Sequence, residues 1–143
     1  AIEYLQSTRN GKGRYFFMQE IGMNENKAFS VEVLGTKYDV TYKSEDEIRK
    51  ALDRDDYVWG YCDSSTHDIV ISNMEEAHFI NEKSKKVTEA EVLRHELVHA
   101  FLDESGLKTQ SWAENEEMVD WIANQFPKMA RVMEENQSIA ANH

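Results

Sequence analysis

The sequence has only one cysteine, Cys62, among its 143 residues. An intrachain disulfide is therefore excluded, and nothing in the composition requires an oxidising compartment. The chain also lacks any apolar run that approaches the roughly 20 residues of a membrane-spanning helix. Residues 1–22 contain no apolar core of the kind found in signal peptides. From these absences we expect a cytoplasmic protein.

The chain also has fewer basic than acidic side chains. The chain has 16 lysine and arginine residues against 27 aspartate and glutamate residues, so its formal net charge is −11 at pH 7. Such a charge repels the phosphate backbone of nucleic acids and the surface of anionic membranes, and it weakly favours cations. We therefore predict that neither nucleic acid nor membrane is a partner. The sequence leaves the oligomeric state open.

The length and the 41% of hydrophobic residues suit one modest core and hence a single domain. Residues 1–27 include the turn-like stretch Asn10–Gly13 and an isolated apolar cluster at Tyr15–Met18, and we predict an N-terminal arm or extension there. Residues 28–136 carry the regular patterns and are predicted to form the folded domain. Residues 137–143 are predicted to be a flexible C-terminal tail.

Four segments of the domain have the patterns of strands. Phe29–Val33 and Tyr38–Tyr42 alternate apolar and polar residues on either side of a Leu-Gly-Thr turn, which predicts a hairpin. Tyr57–Asp63 and His67–Ser72 are predicted to be two further strands joined by a polar turn. Ser44, followed by acidic residues that suit the positive end of a helix dipole, predicts a short helix between the two pairs of strands.

Two more helices are predicted in the C-terminal half. Residues 73–87 are predicted to be a loop with some helix around Glu75–Phe79. Thr88–Glu91 matches a capping box, a hydroxyl residue followed three positions later by glutamate, so a helix is predicted to begin there and to end at Gly106. A third helix is predicted to start near Ser111 and to be broken or kinked by a proline at position 127. Three large aromatic residues of that last region are predicted to belong to the core: Trp112, Trp121 and Phe126.

The first of these two helices contains the segment HELVH, which separates His95 from His99 by four positions. On a helix, residues i and i+4 project from the same face about one turn apart, so both imidazoles can bind one ion. Zinc accepts this geometry, although histidine and carboxylate ligands also suit other divalent metals. Glu96 can take a proton from a water molecule that the ion activates and later pass it to a leaving amine. We predict one zinc ion per chain, with Glu96 as the catalytic base.

Two histidines leave a tetrahedral site one protein ligand short, and the next helix offers candidates in the segment NEEMVD. Glu116 is the predicted third ligand, and Glu117, one position on, is the alternative. Asp120 shares a helical face with Glu116, where it can accept a hydrogen bond from the ring N–H of a ligating histidine, most naturally His95. The alternative interpretation is that these acidic residues form a solvent-exposed helix surface and bind no metal.

Together the two segments resemble the zincin metallopeptidases whose third ligand is a glutamate on the following helix, the gluzincin arrangement of HExxH and NExxxD. The small size, the preceding strands and the ending EMVDWIA are similar to small phage-encoded zincin-like proteins and, more distantly, to ImmA/IrrE-type peptidases of mobile elements. The resemblance covers roughly residues 28–130. The metzincin pattern is absent, because Leu102 and Ser105 occupy the positions of its glycine and third histidine.

The resemblance implies a minimal zincin-like α+β domain, with a small twisted sheet packed on the HExxH helix and on a following helix that carries the third ligand. It implies that His95, His99 and Glu116 are the metal ligands and that Glu96 is the base. It also implies that Asp120 accepts a hydrogen bond from a ligating histidine. The implied activity is zinc-dependent hydrolysis of a protein or peptide substrate, in the host cytoplasm if the protein is phage-encoded. Two alternatives stay open: a non-catalytic, zinc-stabilised interaction protein of a phage or mobile element, and an acidic mimic of nucleic acid.

The sequence leaves two roles open for one strand and for two tyrosines. The strand around Ile69–Ile71 either pairs with an extended substrate at a sheet edge or is buried within the sheet. Tyr57 and Tyr61 either stabilise an oxyanion or pack against neighbours. His67 and His78 have no partner at ligand spacing, and we predict that they do not bind the metal.

Overall fold

The computed structural model describes residues 28–136, so the predicted arm at residues 1–27 and the predicted tail at residues 137–143 lie outside the described residues. The described chain has an α+β fold with four strands and three helices, which confirms the predicted class. The strands are β1 (Ala28–Val33), β2 (Thr36–Lys43), β3 (Gly60–Asp63) and β4 (Asp68–Ser72). The helices are α1 (Glu45–Leu52), α2 (Glu82–Glu104) and α3 (Glu116–Glu135). None of these three helices is long and apolar enough to cross a membrane.

The sheet is mixed, with the strand order β1-β2-β4-β3. β1 and β2 form the predicted hairpin, in which Val33 pairs with Thr36. The two residues between them, Leu34 and Gly35, both have positive φ angles, 49° and 87°, as the tightest hairpin turns require. β2 then pairs with β4 in parallel, and β3 pairs with β4 in antiparallel fashion.

β4 is an inner strand, bonded to β2 on one side and to β3 on the other. Ile69 and Ile71 are fully buried. The edge role considered for Ile69–Ile71 is therefore wrong, and the alternative of a buried strand is confirmed. The sheet edge on this side is β3, which starts at Gly60 rather than at the predicted Tyr57.

The core lies between one face of the sheet and α2. In β2 every second residue is buried, as expected when one face of a strand is covered, and α2 contributes Leu93 and Ala100 to the same cluster. Burial of each large aliphatic side chain contributes about 1.5–3 kcal/mol. α3 packs on α2 through the buried residues Val119 and Ala123. The buried members of the cluster are Val33, Tyr38, Val40, Tyr42, Ile69, Ile71, Leu93 and Ala100.

The start of α2 differs from the prediction. The helix begins at Glu82, and its N-cap is Asn81, whose side chain accepts a hydrogen bond from the Ser84 amide at 2.9 Å. Thr88 lies inside the helix, where its hydroxyl donates to the Ser84 carbonyl at 3.1 Å. A threonine hydroxyl can be satisfied by the carbonyl one turn back, so the capping box predicted at Thr88–Glu91 is not formed as a helix start.

Residues 75–79, where some helix was predicted, are irregular and contain no helical turn in the described structure. The predicted end of α2 is confirmed. Gly106 has φ +75°, and the Leu107 amide bonds to the Leu102 carbonyl at 3.0 Å, the pattern of a Schellman cap.

α3 begins at Glu116 rather than near Ser111, because Asn115 caps it by accepting a hydrogen bond from the Met118 amide. The helix also continues through Pro127 to Glu135, so of the two predicted outcomes, a break or a kink, the break is wrong. Proline has no N–H for the carbonyl four residues back, here that of Ala123. The Arg94 side chain of α2 donates to that carbonyl at 3.0 Å, which replaces the lost bond.

The prediction that three aromatic residues lie in the core is also wrong. Trp112, Trp121 and Phe126 are 46%, 55% and 59% exposed. Helical periodicity correctly shows that α3 has an apolar face. The buried residues of α3, however, are the smaller Val119 and Ala123.

Glu104, at the end of α2, ties this helix to β2. Its carboxylate accepts hydrogen bonds from the hydroxyls of Tyr38 at 2.7 Å and Thr36 at 2.8 Å, and these bonds hold the pKa of Glu104 below its usual range. A carboxyl with a depressed folded-state pKa stabilises the fold above the pKa of the unfolded chain, about 4.3, and loses this contribution as the pH falls through the folded value.

We therefore expect Glu104→Gln to lower the melting temperature at pH 7, and we expect the difference from wild type to shrink below about pH 4. Thermal unfolding followed by circular dichroism across this pH range measures both. The control is Glu32→Gln, an exposed residue of β1, which should leave the melting temperature unchanged. A deficit that is the same at every pH would show that the charge of Glu104 is not the cause.

Candidate metal centre

The three predicted metal ligands meet where the middle of α2 faces the first turn of α3. The Nε2 atoms of His95 and His99 lie 3.1 Å apart. One carboxylate oxygen of Glu116, Oε2, lies 3.0 Å from Nε2 of His95, and the other, Oε1, lies 3.3 Å from Nε2 of His99. A tetrahedral zinc ion with bonds of about 2.0–2.1 Å holds its ligand atoms roughly 3.3 Å apart. One donor atom from each residue lies within 4.8 Å of the other two, so the three side chains can hold one zinc ion after small adjustments.

Local structure explains why these side chains converge. The two histidines are one turn apart on α2, and both are partly buried. Glu116 is the first residue of α3, directly after the Asn115 cap, so the cap fixes its position opposite the histidines. Among residues 28–136, Glu116 belongs to the group of possible metal donors, and Glu117 does not.

Asp120 lies one turn along α3 from Glu116, behind the first histidine. Its Oδ1 atom is 2.7 Å from Nδ1 of His95. Because a carboxylate accepts, Nδ1 carries the proton and donates it in this bond. In the neutral ring, this bond leaves the lone pair on Nε2 of His95, the nitrogen that faces the other two donors and that can bind a metal ion.

Glu96, the predicted base, is only 6% exposed. Burial raises the pKa of Glu96 to about 7; a charged His95 opposes this increase, and the negative charge of Glu116 adds to it. A carboxyl that titrates near neutral pH can both accept and donate a proton under ordinary conditions.

A cleft of about 490 Å³ opens beside this group. Its walls come from three parts of the chain: the segment that leads into β3, the face of α2 that carries His95 and Glu96, and the start of α3. Tyr57 and Trp59 form part of the first wall. The cleft places the base and two of the metal donors, His95 and Glu116, in one cavity that a ligand can enter.

No protein-family model, curated protein or solved structure matches this chain. The likeness to gluzincins thus stays at the level of the two motifs. The function must be argued from the geometry and chemistry of the described residues.

Gly60 is a member of the cleft that the sequence did not suggest. A Cβ atom added there would lie 2.9 Å from the Val70 carbonyl oxygen, 3.0 Å from Cγ1 of Val92 and 3.3 Å from Cγ of Glu96. Only glycine therefore lets β3 approach α2 this closely beside the base. The one available signal was an isolated glycine within a predicted strand, which often marks a close approach of the backbone.

The other candidate residues lie elsewhere. The ring of His67 lies 5.2 Å from that of Tyr38 at an angle of 57°, and its Nε2 atom is 3.9 Å from Oε1 of Glu104. His78 is exposed. Neither histidine joins the group of possible metal donors in the described chain. Tyr57 lines the cleft and is 78% exposed, and the Arg49 guanidinium lies over its ring, 5.8 Å from the centroid. Tyr61 is partly buried on β3, and it is not among the residues of the cleft.

Proposed function

We propose that this chain is a zinc-dependent peptidase of minimal, gluzincin-like architecture. One observation carries the proposal: donor atoms of His95, His99 and Glu116 lie close enough to hold one metal ion, and His95 and Glu116 line the same cleft as the buried carboxyl of Glu96. Imidazole and carboxylate donors in this combination are typical of catalytic zinc sites.

The side chains around the cleft have separate roles in this proposal. A bound zinc ion would supply a Lewis acid that polarises the scissile carbonyl and acidifies water. Glu96 accepts the proton of the attacking water and then donates it to the leaving amine. Asp120 keeps the ring of His95 in the orientation and tautomer that the metal requires.

The substrate in this proposal is a protein or peptide in extended conformation. β3 pairs with β4 only, among the strands of residues 28–136, so its other edge has backbone groups that can pair with a substrate strand. β3 also begins at Gly60, a residue of the cleft. An extended chain that pairs with β3 would thus run past Glu96.

The number of donors favours catalysis over a purely structural metal. Structural zinc sites normally have four protein ligands, whereas the group found in the described part of the chain has three. A catalytic site needs such a remaining position for water or substrate, and the base beside the donors would have no role in a structural site.

Metal content and peptide cleavage test the proposal together. We expect about one zinc ion per chain in protein purified without added metal, and cleavage of a complex peptide mixture, detected by mass spectrometry, that a chelator abolishes. One zinc ion without cleavage of any peptide would support the interaction-protein alternative. Absence of metal from the folded protein would refute both.

The close approach at Gly60 gives a further prediction for this site. Gly60→Ala should displace Glu96 and lower kcat by roughly 10–100-fold, because small misplacements of catalytic groups have effects of this size. The metal content should remain at the wild-type level, since the three atoms nearest to the added methyl group belong to Val70, Val92 and Glu96 and to none of the three donors.

Steady-state kinetics and elemental analysis of the same preparation measure both quantities. The matched control is Gly35→Ala, at the hairpin turn, where an added Cβ meets nothing within 4 Å but the positive φ disfavours alanine. This control should lose stability and keep kcat. If both variants lose kcat in proportion to stability, Gly60 does not position the base.

A further inference from the structure

The helix that supplies the third ligand also has a large exposed apolar surface. Six of its apolar residues are at least 40% exposed: Met118, Trp121, Phe126, Met129, Val132 and Met133. Soluble monomers rarely expose a continuous apolar patch of this kind unless it contacts another molecule.

The pattern of this surface is that of a helix that packs lengthwise on another helix. Met118, Ile122, Gln125, Met129 and Val132 follow one another at alternating intervals of four and three residues. We call these five residues the α3 stripe. Such spacing keeps a seam of side chains facing a partner helix over several turns.

The stripe faces neither α2 nor the cleft. At about 100° per residue, Val119 and Ala123 point to one side of it, toward α2. Glu116 and Asp120 lie roughly half a turn away from the centre of the stripe. A partner on the stripe would therefore leave the candidate metal centre accessible.

Two charges beside the stripe indicate what the partner is. Glu117 and Lys128 are eleven positions apart, close to three full turns, so they lie on the same flank at a separation of roughly 16 Å along the axis. Within residues 28–136 neither forms an ion pair; Lys128 donates only a hydrogen bond to Gln125, at 3.3 Å.

A second copy of α3 in antiparallel orientation gives each of these two charges a partner of opposite sign. It brings Glu117 of each copy near Lys128 of the other, and it sets Met118 beside Met129 of the other copy. In a parallel two-fold pair the same flank of the two copies lies on opposite sides of the seam, so Glu117 and Lys128 would not meet. The opposite charges at the two ends of one flank are thus self-complementary, as a two-fold interface requires.

We propose that the α3 stripe is the contact surface of an antiparallel, two-fold dimer of this chain. The dimer is independent of the peptidase proposal, because its residues belong to neither the metal centre nor the cleft. Each active centre would remain complete within its own copy.

Charge reversal across the interface tests this dimer. We expect the full chain to dimerise reversibly in sedimentation velocity experiments over a series from low to high micromolar concentration. Glu117→Lys and Lys128→Glu should each weaken the dimer roughly tenfold or more, because each creates two like-charge contacts. An equimolar mixture of the two variants should form a one-to-one dimer again, since both cross-contacts are then between opposite charges.

The control is Ile80→Glu, which replaces a 96% exposed apolar residue outside α3 and should leave the dimer unchanged. Circular dichroism verifies that each variant keeps its helix content. Wild-type protein that stays monomeric throughout the series would overturn the proposal. So would single variants that dimerise like wild type, a mixture that fails to associate, or loss of the dimer in Ile80→Glu.

Discussion

Glu96→Gln is expected to lower kcat for peptide hydrolysis by roughly 10²–10⁴-fold, the usual contribution of a general acid and base. The amide has nearly the shape of the carboxyl, so the 6% exposed side chain should pack as before. It has no basic oxygen that can take a proton from water. The three donors on His95, His99 and Glu116 are untouched, so zinc content should stay at the wild-type level.

Kinetics, elemental analysis and circular dichroism on one preparation separate loss of chemistry from loss of metal or fold. Glu114→Gln is the matched control, because it makes the same change at an exposed glutamate just before α3. It should leave kcat and metal content unaltered. Full activity in Glu96→Gln would show that the base has been assigned to the wrong residue.

His99→Ala and Glu116→Ala are expected to lose the metal. Removal of a residue that only orients a ligand typically weakens metal binding by 10–100-fold, and loss of a ligand itself should exceed this. Because a metal that binds only the folded state stabilises it, added zinc should raise the melting temperature of wild type and have little effect on either variant.

Competition with a chelator of known zinc affinity measures the binding, and thermal unfolding with and without zinc measures the linked stability. Glu117→Ala is the decisive control, because it removes the neighbouring carboxyl that the sequence left as the rival ligand. It should bind zinc like wild type. If Glu117→Ala released the metal while Glu116→Ala retained it, the third ligand would be Glu117.

Some features of this molecule could be predicted because they depend on neighbours along the chain. The hairpin follows from alternation within two short segments and a turn with a glycine, and the His95–His99 pair follows from the pitch of a helix. The placement of Glu116 and Asp120 near these histidines was also predicted, from their spacing on one helical face.

The wrong predictions concern choices between competing contacts. Asn81 and Thr88 are both acceptable caps, and only the folded context decides that the first is used. Periodicity shows that α3 has an apolar face. It does not show which apolar residues of the helix are buried within the chain and which, like Trp121 and Phe126, stay exposed. Gly60 was missed because its role depends on α2, more than 30 residues away in sequence.

The single proline of the sequence has a consequence for the alignment of the two helices. Pro127 leaves one carbonyl of α3, that of Ala123, for Arg94 of α2 to bond. A slip of α3 by one turn, about 5.4 Å, would break this bond and carry Glu116 the same distance from His95. In a chain without disulfides, the backbone donor that Pro127 lacks thus helps to fix the alignment of the two helices. The bond from Arg94 to the free carbonyl holds α3 at the position along α2 where the three metal donors meet.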